Sequence, residues 1–181
     1  MRILFLLSCF LLFSLSIFAQ KLTDQKLAEI MEIADLKALK YEALQYKAYL
    51  DGGYMNKEQI EFSVDTFRIH RISELCMEAN YTTAGMNEAL MHMADGYDKL
   101  LNKYYQKLLK VLEEEDKKVL IEAERAWIKF RDAEKVLIGT LSKEQYSGDG
   151  TLQLNIATEA YADLTIKRTI DIFNHYDVVV K

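Results

Sequence analysis

Few residues in this chain are of a type that does chemistry, so their spacing comes first. Three histidines, His70, His92 and His175, fall in three separate stretches. His92 has acidic company on both sides at helical spacing. Glu88, His92 and Asp95 stand at i, i+4 and i+7 and would share one helix face. A carboxylate, an imidazole and a carboxylate are donors for a divalent cation. Three ligands on one helix cannot surround an ion, however, so a solvated polar face is the favoured reading. No Glu-x-x-His occurs, although a di-iron bundle needs it on two helices to point both side chains inward. His-Glu-x-x-His, Cys-x-x-Cys, Gly-x-Ser-x-Gly and any phosphate-cradling glycine loop are also absent. No catalytic residue, cofactor or metal is therefore expected. Cys76 has His70 six residues away, but a Cys–His pair is assembled by the fold and not by nearness in sequence. The favoured reading of Cys76 is a buried or partner-seeking thiol.

Charged residues set into apolar stripes are more informative. The stretch AERAWIKFRDAEK, residues 123 to 135, holds the only tryptophan, with Glu124, Trp127, Arg131 and Glu134 on one helical flank. Asp98 and Asn102 lie one turn apart beside Leu101 and Tyr105, and Arg168 interrupts another apolar stripe. Charges at a core-facing edge are costly unless paired and hydrogen-bonded. The expectation is an interhelical network, with Arg131 or Arg168 forking onto Asp98 or Glu134. Trp127 and Phe130 are expected to face the core.

The elements that must position these groups read as five helical segments. The first, from about Thr23 to Leu50, carries Leu27, Ile30, Ala34, Ala38, Tyr41, Leu44 and Ala48 at spacings of three and four, and ends at Asp51-Gly52-Gly53. The second starts at Asn56, with Gln59 positioned for a capping box. Its Ile60, Phe62 and Val64 also alternate as a strand would, but no partner strand is visible elsewhere. The third opens at Thr82-Thr83 and runs to about Leu112, apolar over so wide an arc that it should occupy the centre of a bundle. The fourth begins near Asp116 and repeats Leu120, Ala123, Trp127, Phe130, Leu137 and Leu141. An irregular connection at 142–150 precedes the fifth, from Thr151 to about Tyr176, with Leu154, Ala157, Tyr161, Leu164, Arg168 and Ile172 on one face. The fold expected is all-α, a bundle of about four to five helices with no sheet. Absence of proline and only 7 glycines in 181 residues agree with long helices.

Residues 1–19 have Arg2, an apolar run and the small residue Ala19, the plan of a secretory signal peptide cleaved before Gln20. The run is at the short edge for a membrane anchor. Leu6-Leu7-Ser8-Cys9 also resembles a lipoprotein cleavage box, but would leave hardly any apolar run before Cys9. A membrane association follows only if the signal is retained or lipidated. Cleavage removes Arg2 and Cys9, leaving 22 basic and 28 acidic residues, a net charge of −6. That balance argues against nucleic acid and favours encounter with a cationic protein. Cys76 is then the one thiol, so no intramolecular disulfide can form.

The polar residues also carry a family resemblance. Asp98-x-x-Leu101-Asn102-x-x-Tyr105, Glu124-Arg125-Ala126-Trp127-Ile128-x-Phe130-Arg131-Asp132-Ala133-Glu134 and Thr165-x-Lys167-Arg168 resemble the LprI-type lysozyme-inhibitor domain of exported bacterial proteins. Tyr81 to Glu88 match that family's lead-in to its long helix. The resemblance covers about Arg71 to Tyr176, which divides the chain into a signal peptide (1–19), an N-terminal helical extension (20–70) and an LprI-like domain (71–181). Asp98, Asn102, Tyr105, Trp127, Arg131, Asp132 and Arg168 are its motif residues here, read as a packing signature. The sequence departs from the family pattern in having Glu124 where glutamine precedes Arg-x-Trp. Ala89 and Lys135 stand where members often carry cysteines.

The resemblance implies a periplasmic or secreted, non-enzymatic protein that binds a protein partner, lysozyme by the family's name. Occlusion of a cationic cell-wall glycosidase by an acidic surface would be the mechanism. Glu113-Glu114-Glu115-Asp116 and the loop from Lys143 to Gly150 are the exposed candidates. The alternative is a structural or interaction module of the cell envelope, with Cys76 pairing between chains.

Overall fold

The computed structural model describes residues 21–148, 150 and 152–181; the signal-peptide reading of 1–19 lies outside them. The described residues form five long helices and one short one: α1 (Asp24–Leu50), α2 (Lys57–Ala79), α3 (Thr83–Val111), α4 (Glu114–Leu141), α5 (Glu144–Ser147) and α6 (Leu152–Val180). No strand occurs among them. The ambiguous alternation at Ile60, Phe62 and Val64 is helical, and one extra turn, α5, sits in the connection expected to be irregular.

Local chemistry starts these helices where the sequence indicates. Thr23 and Thr82 cap α1 and α3 by accepting from the Lys26 and Gly85 amides. At α2 both halves of the capping box form: Asn56 Oδ1 accepts from the Gln59 amide at 2.8 Å, and Gln59 Oε1 from the Asn56 amide at 3.1 Å. Gly52, at φ 90°, makes the turn after α1, a backbone state that favours glycine.

α3 is the central helix. It packs along α6 on one side and α2 on another, while α1 covers α2. Tyr97, Leu100, Leu101, Tyr104 and Leu108 of α3 join Ile69, Leu120, Ile172, Phe173 and Tyr176 in the main core. An aromatic group locks it. Phe62 stacks on Phe173 at 3.9 Å between centroids, and Tyr104 meets both rings edge-on at 5.3 and 5.0 Å. Close approach is built from small residues. A Cβ on Gly96 would stand 2.9 Å from Ile69, so α2 and α3 nearly touch there.

Two expected faces differ in part. On α6 the expected stripe is buried at Ala157 and Ile172 but not at Leu154, which is 58% exposed. The inward face also takes in Ala162, Thr165, Thr169, Phe173 and Tyr176. The Thr169 hydroxyl is satisfied against Thr165 O at 2.8 Å and Tyr97 O at 3.1 Å, so a residue that looks polar in the sequence suits a tight interface. On α4 the expected stripe fails beyond its first turns. Leu120 is buried, whereas Phe130, Leu137 and Leu141 are about half exposed. α4 approaches α6 closely but not α3, so most of its apolar stripe has no helix to cover it.

Candidate functional site

Where α4 stands off from α3, an open cleft of about 390 Å³ forms, and the motif residues line it. Asp98, Leu101, Asn102 and Tyr105 come from α3, and Glu124, Trp127, Ile128 and Arg131 from α4. Both sets follow the same i, i+3, i+4, i+7 spacing, which puts four side chains on one helix face. Two such faces opposite one another make the walls.

α6 reaches the Glu124 wall through Arg168. Its Nε and Nη2 both donate to Glu124 Oε2, at 3.0 and 2.8 Å, and both side chains are largely buried. Glu124 thus holds a partly buried guanidinium, a pairing that a glutamine would make without charge. Trp127 lies between two cations, with the guanidinium carbons of Arg131 and Arg168 at 5.2 and 5.8 Å from its ring. It packs against the main core without being enclosed by it. Arg131 Nε and Nη2 donate to Asp132 Oδ1 at 2.9 and 2.7 Å. On the facing wall Asn102 Nδ2 donates to Asp98 O at 2.9 Å and reaches Asp98 Oδ2 at 3.4 Å. Burial, and then the Glu124 carboxylate, raises the Tyr105 phenol above its usual pKa, against an opposing effect of Arg125.

The polar network thus differs from expectation. Arg168 pairs across helices with Glu124, not with Asp98 or Glu134, and Arg131 turns to its own neighbour, Asp132. No ion pair crosses the cleft from α3 to α4 among the described residues. Phe130, expected in the core, is 54% exposed. The motif residues expected as a packing signature are brought together here, and Trp127 does pack against the core. The matched spacing on two helices was the available signal for a cleft.

The other candidates lie elsewhere. Cys76 is fully buried with Ile30 and Ala89, where α1, α2 and α3 meet. Burial, with Glu88 adding to it, pushes its thiol up to about 11, which keeps it protonated at neutral pH. Pairing with a second chain would require α1 to lift away. Ala89 shares this cluster, and Lys135 is exposed on α4. The acidic run opens α4, with Glu113 at its N-cap and Glu114, Glu115 and Asp116 in the first turn, where carboxylates suit the helix dipole. Lys117 and Lys118 pair with Glu114 and Glu115. No group of three His, Cys, Asp or Glu side chains able to hold a metal occurs among the described residues.

The recognisable residues of this all-α scaffold thus line a cleft between two of its helices. A family model described as "Lysozyme inhibitor LprI" matches residues 76–171. The chain belongs to that family, a family of inhibitors. No curated protein and no solved structure matches the chain. No described helix is long and apolar enough to cross a membrane.

Proposed function

We propose that the chain is an exported, non-enzymatic binding protein that restrains a lysozyme-type, cationic cell-wall glycosidase by covering its cleft. The family match over residues 76–171 is the observation that carries this reading. The acidic balance supports it, because a net negative surface accelerates encounter with a cationic enzyme. Occlusion needs no chemistry from the inhibitor. An exposed surface of about 800 Å² on each partner is the usual scale of such a complex.

Purified chain lacking residues 1–19, mixed with lysozyme in a cell-wall turbidity assay, tests this. Slower lysis at micromolar excess, weakening as salt screens the attraction, is the expected result. Unchanged lysis over that range removes the proposal. Pairing between chains through Cys76 is disfavoured, since the thiol is enclosed in the folded chain.

A further inference from the structure

The α3–α4 cleft has a chemistry that partner occlusion does not use. We propose that it is a saccharide site, taking a short uncharged oligosaccharide between Asp98 and Asn102 on one wall and Trp127 and Arg131 on the other. This goes beyond the inhibitor reading and does not rest on it.

Charge decides against an ionic ligand. Each guanidinium at the cleft already has a carboxylate from this chain: Arg131 has Asp132, Arg125 has Glu122, and Arg168 has Glu124. An incoming anion would meet cations that are already neutralised. An incoming cation would find Asp98, which has no ion pair, but would face Arg131 across the cleft. Hydrogen-bonding capacity, in contrast, is open in both senses. The Tyr105 hydroxyl and the Trp127 indole N–H have no hydrogen-bond partner among the described residues, and Asp98 Oδ1 and Asn102 Oδ1 accept nothing there. Sugar hydroxyls each donate and accept, so a row of them satisfies such a mixed set. Planar carboxylate, amide and guanidinium groups match vicinal hydroxyl pairs. The C–H faces of the sugar have Tyr105, Ile121 and Ile128 to lie against, while the indole offers its N–H.

Size and shape agree. A concave space of about 390 Å³ falls in the range of small-ligand sites and is unlike a protein-docking patch. A peptide is the weaker fit. Both walls are helices, whose backbone groups are bonded internally, so there is no strand edge to extend.

Trp127 is the one tryptophan, so its fluorescence reports on the cleft directly. The protein lacking residues 1–19 is titrated with the tetrasaccharide of N-acetylglucosamine, by fluorescence and in parallel by calorimetry. Binding at about millimolar Kd or tighter is expected. Asp98→Ala and Asn102→Ala, both at exposed positions, should each weaken it about tenfold with the circular dichroism of the helices unchanged. Phe130→Ala, outside the cleft, should leave it intact. Absence of binding by both methods overturns the proposal. So does binding indifferent to both cleft variants, or binding of an uncharged tetrapeptide in place of the saccharide. No lysozyme enters these measurements, so their outcome is separate from that of the turbidity assay.

Discussion

Asp177 shows how one side chain can tie two helices together. Asn56 Nδ2 donates to Asp177 Oδ1 and Gln59 Nε2 to Oδ2, each at 2.8 Å, and Lys181 Nζ lies 2.6 Å from Oδ2. The capping box of α2 thereby serves twice, closing its own helix and gripping α6. Burial alone would raise the Asp177 pKa, but the contacts from Lys181, Asn56 and Gln59 outweigh it and hold the carboxyl below its ordinary value. A carboxyl depressed in the folded state contributes stability above its unfolded pKa and loses it as pH falls through the folded one. Asp177→Ala should therefore cost about 1–3 kcal/mol at neutral pH, the scale of a buried polar group left without its partner. In urea unfolding series the gap from the parent should narrow as pH drops below about 4, where the unfolded-state aspartate protonates. A gap independent of pH would show that the carboxylate charge is not what holds the two helices. Glu61 adds to the same acid sensitivity. Burial raises its pKa, but hydrogen bonds from Lys103 and Lys107 bring it below the usual range.

At the scale of elements, α4 is the helix whose residues count unequally. Leu120 is buried beside the joint with α3, and Leu120→Ala should cost about 2–4 kcal/mol. Phe130→Ala, on the same expected stripe, should stay within about 0.5 kcal/mol, as for a surface substitution. Chemical denaturation of the two variants side by side checks the pair, and equal losses would mean that α4 is covered along its whole length. The same contrast explains what the sequence disclosed. Helix starts were legible because Thr23, Asn56 and Thr82 act within a few residues, and α3 was legible as the centre because its apolar arc is wide. The full width of the inward face of α6 was not, since Thr165 and Thr169 become core residues only once a neighbouring carbonyl, Tyr97 O, accepts from Thr169. Periodicity on α4 announced an apolar face but not whether a helix would meet it. For the candidate site, residue identities and spacing were readable. Whether Asp98 and Arg131 would join or stand apart depended on how far α4 leans from α3, a tertiary quantity with no local signal.

For the whole molecule, the question is whether residues 20–70 are an appendage to the family domain. α2 runs without a break through residues 70 and 71, and its first half reaches the main core. Phe62 stacks on Phe173, Ile60 is fully buried, and Ile69 lies with Tyr97 and Leu100. Lys103 and Lys107 of α3 are held by Glu58, Glu61 and Asp65, all before residue 70. A fragment of residues 71–181 would lose each of these, and Asp177 would lose Asn56 and Gln59. Truncating one buried aromatic side chain costs about 3–5 kcal/mol, and a domain has only about 5–15 kcal/mol in all. Losing Phe62, Ile60 and the ion pairs together should leave the fragment without a cooperative transition, its near-ultraviolet dichroism weak while helical signal persists. Residues 20–181 should melt in one step. A fragment that unfolds cooperatively by itself, with a denaturant slope in proportion to its length, would mean instead that α3, α4 and α6 suffice as a core and that α1 and α2 are added to it.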